Sequence, residues 1–225
     1  MVESIDYSSY ERATHVHDMG TPIPDDLKGR YATIIDGGTL EHVFNIVQAF
    51  DNCADLIKPG GQIIHILPAN NYLGHGFWQM SPELFFSLYS EANGFRDTEV
   101  YLATFMDNRS WYRVKPPHDG QRVNALSSGE MYILVRTVKA LDRSAKVEVQ
   151  QSDYVYEWQR GGDDEDAAPA GASRRGLKDM LLDVPVVSDR LLVPIYNRLL
   201  RMAPSKRVSG HNPGLDAVSI KALTR

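Results

Sequence analysis

The order of apolar runs and turns between residues 31 and 67 constrains the fold of this chain more than any other feature. The run Tyr31–Ile35 ends in Asp36, and the run Gln62–Leu67 follows the turn residues Lys58–Gly61. Between the two runs, apolar residues recur at steps of three and four, as on a helix that packs one face against a sheet. This order of strand, helix, glycine turn and strand predicts an α/β fold with parallel strands.

Weaker patterns extend this sheet in both directions. The predicted additional strands are Val2–Asp6, Ala13–His17, Thr98–Phe105 and Glu130–Val138, the last two joined by an insertion from about Met106 to Gly129. Ser81 and Pro82 suit the start of a helix that runs to about Ala92. Because Gln62–Leu67 is almost continuously apolar, we expect this strand to be buried on both faces.

The composition changes near residue 150, which divides the chain into three parts. Residues 1–150 are predicted to form the α/β domain and residues 151–175 a linker, because Gly161–Gly171 is rich in glycine, alanine and acids. Residues 176–225 are expected to form a helical or partly disordered tail. This tail is basic, and its apolar residues near Leu191 suit an amphipathic helix. Such a helix would dock on the domain, bind a protein partner or second copy, or lie on a membrane surface.

Composition narrows the cellular setting. The net charge of −5 gives no general attraction to nucleic acid, so none is expected as a partner. Cys53 is the only cysteine, which excludes an intrachain disulfide and suits a reducing compartment. We expect Cys53 to be packed in a helix. No apolar run approaches the roughly 20 residues that cross a bilayer, and no signal peptide is visible, so we expect a cytoplasmic protein.

Three segments carry a resemblance to a known family. They are Asp36–Val43, which ends in Leu-Glu-His-Val, then Lys58–Gly61, and then Gly74–Glu83. With these segments, residues 1–138 resemble class I S-adenosylmethionine-dependent methyltransferases, most closely bacterial proteins encoded with polysaccharide or secondary-metabolite genes. The resemblance implies a Rossmann-like sheet with strand order 3-2-1-4-5-7-6 and an antiparallel closing hairpin.

The resemblance leaves the first strand of the family without a counterpart. Val2–Asp6 matches the second strand, Ala13–His17 the third, Tyr31–Ile35 the fourth and Gln62–Leu67 the fifth. The central first strand and its Gly-x-Gly loop are missing, so a backbone ladder is left unpaired in the middle of the sheet. Three explanations stay open: a fragment or mis-started reading frame, another segment in the central slot, or a first strand disguised within residues 1–20.

The resemblance also implies which residues face the cofactor, S-adenosylmethionine. Asp6 would accept the ribose hydroxyls, Asp18 the adenine amino group, and Met19 would lie on the ring. Asp36 and Gly37 would lie near the amino-acid portion of the cofactor and the transferred methyl group. Each position also has a purely structural interpretation, as a turn aspartate, as loop packing or as a partner of the following helix.

Two histidines are candidates for the catalytic base. His75 lies in the loop after the fifth strand, and a neutral imidazole there can take the proton from an acceptor hydroxyl. His42 could contact cofactor or act as the base, or simply bond to its neighbours at the helix start. Some methyltransferases use a Glu–His pair like Glu41–His42 for a metal. No metal is expected here, because Gly38 stands where those enzymes have another acid.

The acceptor side of the site is expected in the loop around His75. Asn70, Asn71 and Tyr72 could bind polyol hydroxyls, since amides and phenols both donate and accept hydrogen bonds. Trp78 lies beside them in the segment that should overhang the acceptor. His65 falls within a strand and is expected to be a satisfied core histidine.

Three functions follow from these patterns. The first is a methyltransferase-like domain that methylates a small or saccharide-like acceptor on oxygen, or an inactive form of such a domain if the chain is truncated. Catalysis of methyl transfer depends mainly on alignment of the acceptor, the methyl group and the sulfur. The absence of an obvious nucleophile in the sequence is therefore no argument against this function. The second is a non-catalytic protein of the same fold that binds a partner through the basic tail. The third, an unrelated nucleotide-binding domain, lacks the Gly-x-Gly-x-x-Gly loop.

Overall fold

A mixed six-stranded sheet forms the centre of the chain. The computed structural model describes residues 2–104, 110–123, 125, 127, 129–141, 149–161 and 215–219. Its strands are β1 (Ile5–Asp6), β2 (His15–Val16), β3 (Tyr31–Asp36), β4 (Ile57–Pro68), β5 (Phe95–Thr104), β6 (Ser110–Val114), β7 (Met131–Lys139) and β8 (Leu215–Ser219). Six of them form one sheet in the order β3-β4-β7-β5-β6-β8, while β1 and β2 form a separate parallel pair. The fold is therefore α/β.

The directions of the strands agree with the predicted parallel core and antiparallel closure. β3 and β4 are parallel, whereas β7 is antiparallel to both β4 and β5. The predicted turn Lys58–Gly61 lies inside β4 as a bulge, because Tyr31 pairs with Ile57 but Thr33 pairs with Gln62. The predicted insertion between the closing strands contains β6, which pairs with β5.

The helices are α1 (Ile46–Leu56), α2 (Pro82–Leu88) and α3 (Ser152–Gly161) in the described residues. Three 3₁₀ helices occur there as well: Asp25–Leu27, Leu40–His42 and Glu91–Asn93. The predicted helix over residues 41–57 is thus split, since the chain is extended at Val43 before α1 begins. Ser81 caps α2 as expected, because its side chain accepts from the backbone N–H of Leu84.

The hydrophobic core lies on one face of the large sheet. Ile63 and Leu67 of β4 point to this face, where Phe50 of α1 and Phe85 of α2 pack against them. On the opposite face, Ile64 is half-buried and Ile66 is 37% exposed. β4 is therefore buried on one face only within the described residues, in contrast to the expectation from its apolar sequence, because α1 and α2 cover the same side.

The region after residue 150 contains more regular structure than its composition suggests. α3 lies in the stretch predicted as a linker, and its start is fixed by the Ser152 N–H, which donates to Glu83 Oε1 at 2.7 Å, and by the ion pair of Asp153 with Arg122. β8 lies in the predicted helical tail and pairs with β6. The predicted helix near Leu191 falls outside the described residues. Among the helices that the structure describes, none has the length and apolar composition needed to span a bilayer.

Candidate functional site

The larger of two neighbouring cavities lies where the carboxyl ends of β1, β2 and β3 meet. Its volume is about 660 Å³, and it brings together residues that follow all three strands. In open α/β sheets this end of the strands is where ligands bind. Its polar and apolar lining includes Asp6, Glu11, His17, Asp18, Met19, Gly38, Thr39, His42, Phe44 and Phe77.

Asp6 and Asp18, the acids predicted to bind the ribose and the adenine, both line this cavity from neighbouring loops. Asp6 accepts a hydrogen bond from the Ser8 N–H at 2.7 Å, and Asp18 accepts from the Gly20 N–H at 2.8 Å. Each carboxylate therefore orders its own loop through one oxygen and keeps acceptor capacity for a ligand. Met19 lines the same cavity and also packs against the core. The structure thus brings Asp6, Asp18 and Met19 together.

Asn52 of α1 holds the loop that carries Asp18 and Met19. This side chain is fully buried, and its amide donates to the carbonyl oxygens of Met19 at 2.9 Å and Thr21 at 2.7 Å. Its Oδ1 accepts from the Ile23 N–H at 3.2 Å. The sequence analysis did not identify this residue. The available signal was an amide on the otherwise apolar face of a predicted helix, where a polar group must find partners.

The smaller cavity separates β1 from β3. Its volume is about 230 Å³. Glu3, Ser4 and Ile5 line one side of this cavity, and the residues that line the other side include Thr33 and Ile35. Among the strands that the structure describes, β3 pairs with β4 alone, and its other edge faces this cleft. Glu3, just before β1, contacts the first residue of β3, while Asp6 at the end of β1 and Gly38, two residues after β3, both line the larger cavity. The strands β1 and β3 therefore run in the same direction across the cleft.

Asp36 lies between this cleft and the core rather than in the larger cavity. Its Oδ2 is 2.8 Å from His65 Nδ1, and its Oδ1 accepts from the Thr39 N–H at 3.0 Å. His65 Nε2 lies 2.7 Å from the hydroxyl of Tyr89, so both ring nitrogens are partnered. The expectation that His65 is a satisfied core histidine is confirmed. Gly37, the other residue predicted near the methyl group, is exposed and lines neither cavity.

The four predicted acceptor residues lie against other protein groups instead of lining the larger cavity. The Asn70 amide donates to Ala125 O at 3.2 Å, and the Asn71 amide donates to Gly129 O at 2.7 Å. Tyr72 is buried, and burial raises the pKa of its phenol. The Trp78 indole N–H donates to Val43 O at 3.0 Å. None of these four residues lines the larger cavity, which Phe77 borders from the same loop.

The two predicted catalytic histidines lie side by side on a buried glutamate. The rings of His42 and His75 are 4.9 Å apart between centroids. Glu41 Oε1 is 3.3 Å from His75 Nε2 and 3.8 Å from His42 Nε2. Glu41 is only 1% exposed, whereas the two imidazoles are about half exposed. The sequence placed Glu41 next to His42 but gave no indication that His75, 33 residues later, joins them.

Cys53 is packed in α1 as the sequence predicts. It is 2% exposed, and burial raises the pKa of its thiol, with the Asp36 charge adding to the effect. A thiol with a raised pKa carries little thiolate and is a poor nucleophile. Cys53 is therefore a core residue and has no place in the chemistry of the cavity.

Two comparisons with known proteins identify no relative of this chain. A scan against models of protein families matches none of them, and a search of curated proteins finds none that is similar. The assignment of a function thus depends on the residues themselves.

Proposed function

We propose that the chain is a methyltransferase-like protein that binds S-adenosylmethionine in the larger cavity, as a Rossmann-like class I sheet does. The observation that carries this proposal is the convergence of Asp6, Asp18 and Met19 at the carboxyl ends of parallel strands. Two acids on adjacent loops suit a ribose diol and an amino group, and a methionine side chain suits the flat face of a base.

The arrangement of strands supports the same proposal. β3, β4, β7 and β5 are neighbours in that order, with β7 antiparallel to the strands on both sides. The family's fourth, fifth, seventh and sixth strands are neighbours in the same order. The parallel pair β1 and β2 takes the place of the family's second and third strands, and the cleft beside β3 takes the place of the first.

The proposed reaction is methylation of an oxygen on a small or saccharide-like acceptor. His42 lines the cavity, and His75 lies beside it with a half-exposed imidazole. A neutral imidazole can accept the hydroxyl proton while the methyl group moves from sulfur to oxygen. The sulfonium itself supplies the activation, so the chain's task is to align the acceptor with the methyl group.

A second candidate, a non-catalytic protein of this fold that acts through partner binding, is favoured by the cleft. The edge of β3 that has no partner among the described strands and the side chain of Ile35, which is 68% exposed, offer backbone and apolar groups to another polypeptide. In this second candidate the cleft, rather than the cofactor cavity, is the functional surface.

Calorimetric titration with S-adenosylhomocysteine distinguishes the two candidates. The enzyme proposal expects saturable binding that Asp18→Ala weakens by roughly 1–3 kcal/mol, the scale for losing a charged hydrogen-bond partner. Asp25→Ala, which removes an acid that is 94% exposed and outside both cavities, is the matched control and should bind as the wild type does. Absent binding by a folded, monodisperse sample favours the non-catalytic protein, and equal affinity of Asp18→Ala rejects the placement of Asp18.

A further inference from the structure

In contrast to the expectation from the sequence, we propose that Glu41, His42 and His75, together called the Glu41 cluster, bind a divalent transition metal ion of the Zn²⁺ type, with His75 in place of the acid that is absent at Gly38. One candidate ligand atom from each residue lies within 4.8 Å of the other two. The proposal concerns metal binding alone and stands whether or not the chain transfers methyl groups.

The first argument is the incomplete satisfaction of a buried carboxylate. Glu41 is 1% exposed, and burial of an ionised carboxylate is costly unless its oxygens are partnered. Oε1 has one imidazole at 3.3 Å and another at 3.8 Å, a distance too long for a hydrogen bond. Oε2 is buried and has no hydrogen-bond partner within the described part of the chain. A cation between the three side chains compensates the buried negative charge that these contacts leave largely unpaired.

The second argument is the spacing of the ligand atoms. Ligands held at 2.0–2.2 Å in a tetrahedron around zinc are about 3.3–3.6 Å from one another. The Glu41 carboxylate therefore already has one imidazole nitrogen at this spacing and a second within a few tenths of an ångström of it. The two imidazole nitrogens lie within 4.8 Å of each other, and because both rings are half exposed, rotations of their side chains can bring all three ligand atoms to tetrahedral spacing.

The third argument is the way the backbone fixes His75 beside Glu41. The N–H groups of Phe77 and Trp78 both donate to the carbonyl oxygen of Glu41, at 2.7 and 3.3 Å. Gly76 has φ +69°, and a Cβ at this position would lie 2.8 Å from Glu41 Cγ and from its carbonyl oxygen. Only glycine suits both this conformation and this approach, so the loop and its histidine are held before any ligand binds.

The donor set identifies the class of metal. Two imidazoles and one carboxylate suit zinc and its neighbours in the first transition series, whereas magnesium and calcium prefer oxygen ligands. Three protein ligands leave a coordination position open. Gly38 borders both Glu41 Oε1 and the larger cavity, so this position is reached from the cavity. If the proposed function holds, an acceptor hydroxyl can bind there, and with the ion present the metal, rather than a free imidazole, would favour loss of its proton.

The test is titration of the full chain, free of any polyhistidine tag, with Zn²⁺ and with Co²⁺. Calorimetry should give one ion per chain, and Co²⁺ should produce the visible d–d absorption of a four- or five-coordinate site. His42→Ala and His75→Ala should each weaken binding at least tenfold, because loss of even an outer-shell partner weakens such sites by about 10- to 100-fold. Both side chains are half exposed, so neither substitution opens the core.

His118→Ala is the matched control. His118 and Asp119 form a histidine–carboxylate pair at the same 3.3 Å, but both side chains are more than half exposed. Zn²⁺ affinity should not change in this variant. Unchanged affinity in His75→Ala, or Mg²⁺ binding as strong as Zn²⁺ binding, overturns the proposal. Because His75 does not line the larger cavity, His75→Ala should keep its affinity for S-adenosylhomocysteine, which separates failure of the metal site from failure of the cofactor site.

Discussion

The centre of the large sheet and the small β1–β2 sheet are stabilised in different ways. In the centre, β4, β7 and β5 each pair on both sides and pack against Phe85, which is completely buried. The small sheet has two residues in each strand and is joined to β3 by the side chains of Glu3, His15 and Tyr31. The proposed cofactor cavity lies between the two sheets. The stability of its walls is therefore set by the small β1–β2 sheet, which has the fewer stabilising contacts.

Removing a core side chain should have the largest effect. Phe85→Ala deletes a ring that is 0% exposed and packs against Phe50 and His65, so the free energy of unfolding should fall by about 3–5 kcal/mol. Phe44→Ala, at a phenylalanine that is 78% exposed, should change it by less than about 0.5 kcal/mol. Urea unfolding of both variants measures the difference. A loss below about 1 kcal/mol in Phe85→Ala is incompatible with the core described here.

A smaller and more local effect is expected at Asn52. Asn52→Ala leaves the backbone groups of Met19, Thr21 and Ile23 without this partner and should cost about 1–3 kcal/mol. Gln48→Ala removes only a side-chain bond to the same residue and is the control. Hydrogen exchange should speed up at the Ile23 amide in the first variant alone. Equal protection in both would show that Asn52 does not hold the loop.

Loss of one hydroxyl should loosen the small sheet and leave the large one unchanged. The Tyr31 hydroxyl donates to Glu3 Oε2 at 2.7 Å, and Tyr31→Phe should cost about 0.5–1.5 kcal/mol. The amides of His15 and His17, which pair with the carbonyls of Ser4 and Asp6, should exchange faster. Tyr10→Phe, at a tyrosine that is 90% exposed, should leave their exchange rates unaltered. Faster exchange throughout β4 would contradict the division into two regions.

As the pH falls, the small sheet should lose protection from hydrogen exchange before the large sheet does. This effect should be the smallest of those predicted here. The hydrogen bond from His15, then that from Tyr31 and the charge of Arg30, hold the pKa of Glu3 below its ordinary value of 4.5. The resulting stabilisation is present above pH 4.5 and is lost as the pH falls through the lower folded-state pKa.

Comparison of the wild type with Glu3→Gln across this range measures the Glu3 contribution. The difference in exchange protection of β1 and β2 should shrink as the pH falls below 4.5. If the difference in protection between the wild type and Glu3→Gln does not change with pH, the charge of Glu3 does not hold the small sheet against β3.

The elements that the sequence predicted well are those with long periodic patterns. β3, β4, β5 and β7 lie where apolar runs were found, and the Ser81 cap begins α2, because local propensity and burial agree at these positions. The helix over residues 41–57 was less well predicted. Apolar spacing continues through Leu40–His42 and α1, but the chain is extended at Val43 between them, where the Val43 carbonyl accepts from the Trp78 indole.

By itself, the sequence determined the α/β class, the parallel pairing of β3 with β4, the packing of Cys53 and His65, and acids at the strand ends, because these depend on local spacing and burial. Only the tertiary structure decided which distant residues meet. Asn52 reaches back to the Met19 loop, and His75 joins Glu41 and His42 through backbone contacts that leave no periodic mark in the sequence. The local order of residues indicates which face of each segment is buried. A functional site depends instead on how loops from separate segments pack against one another.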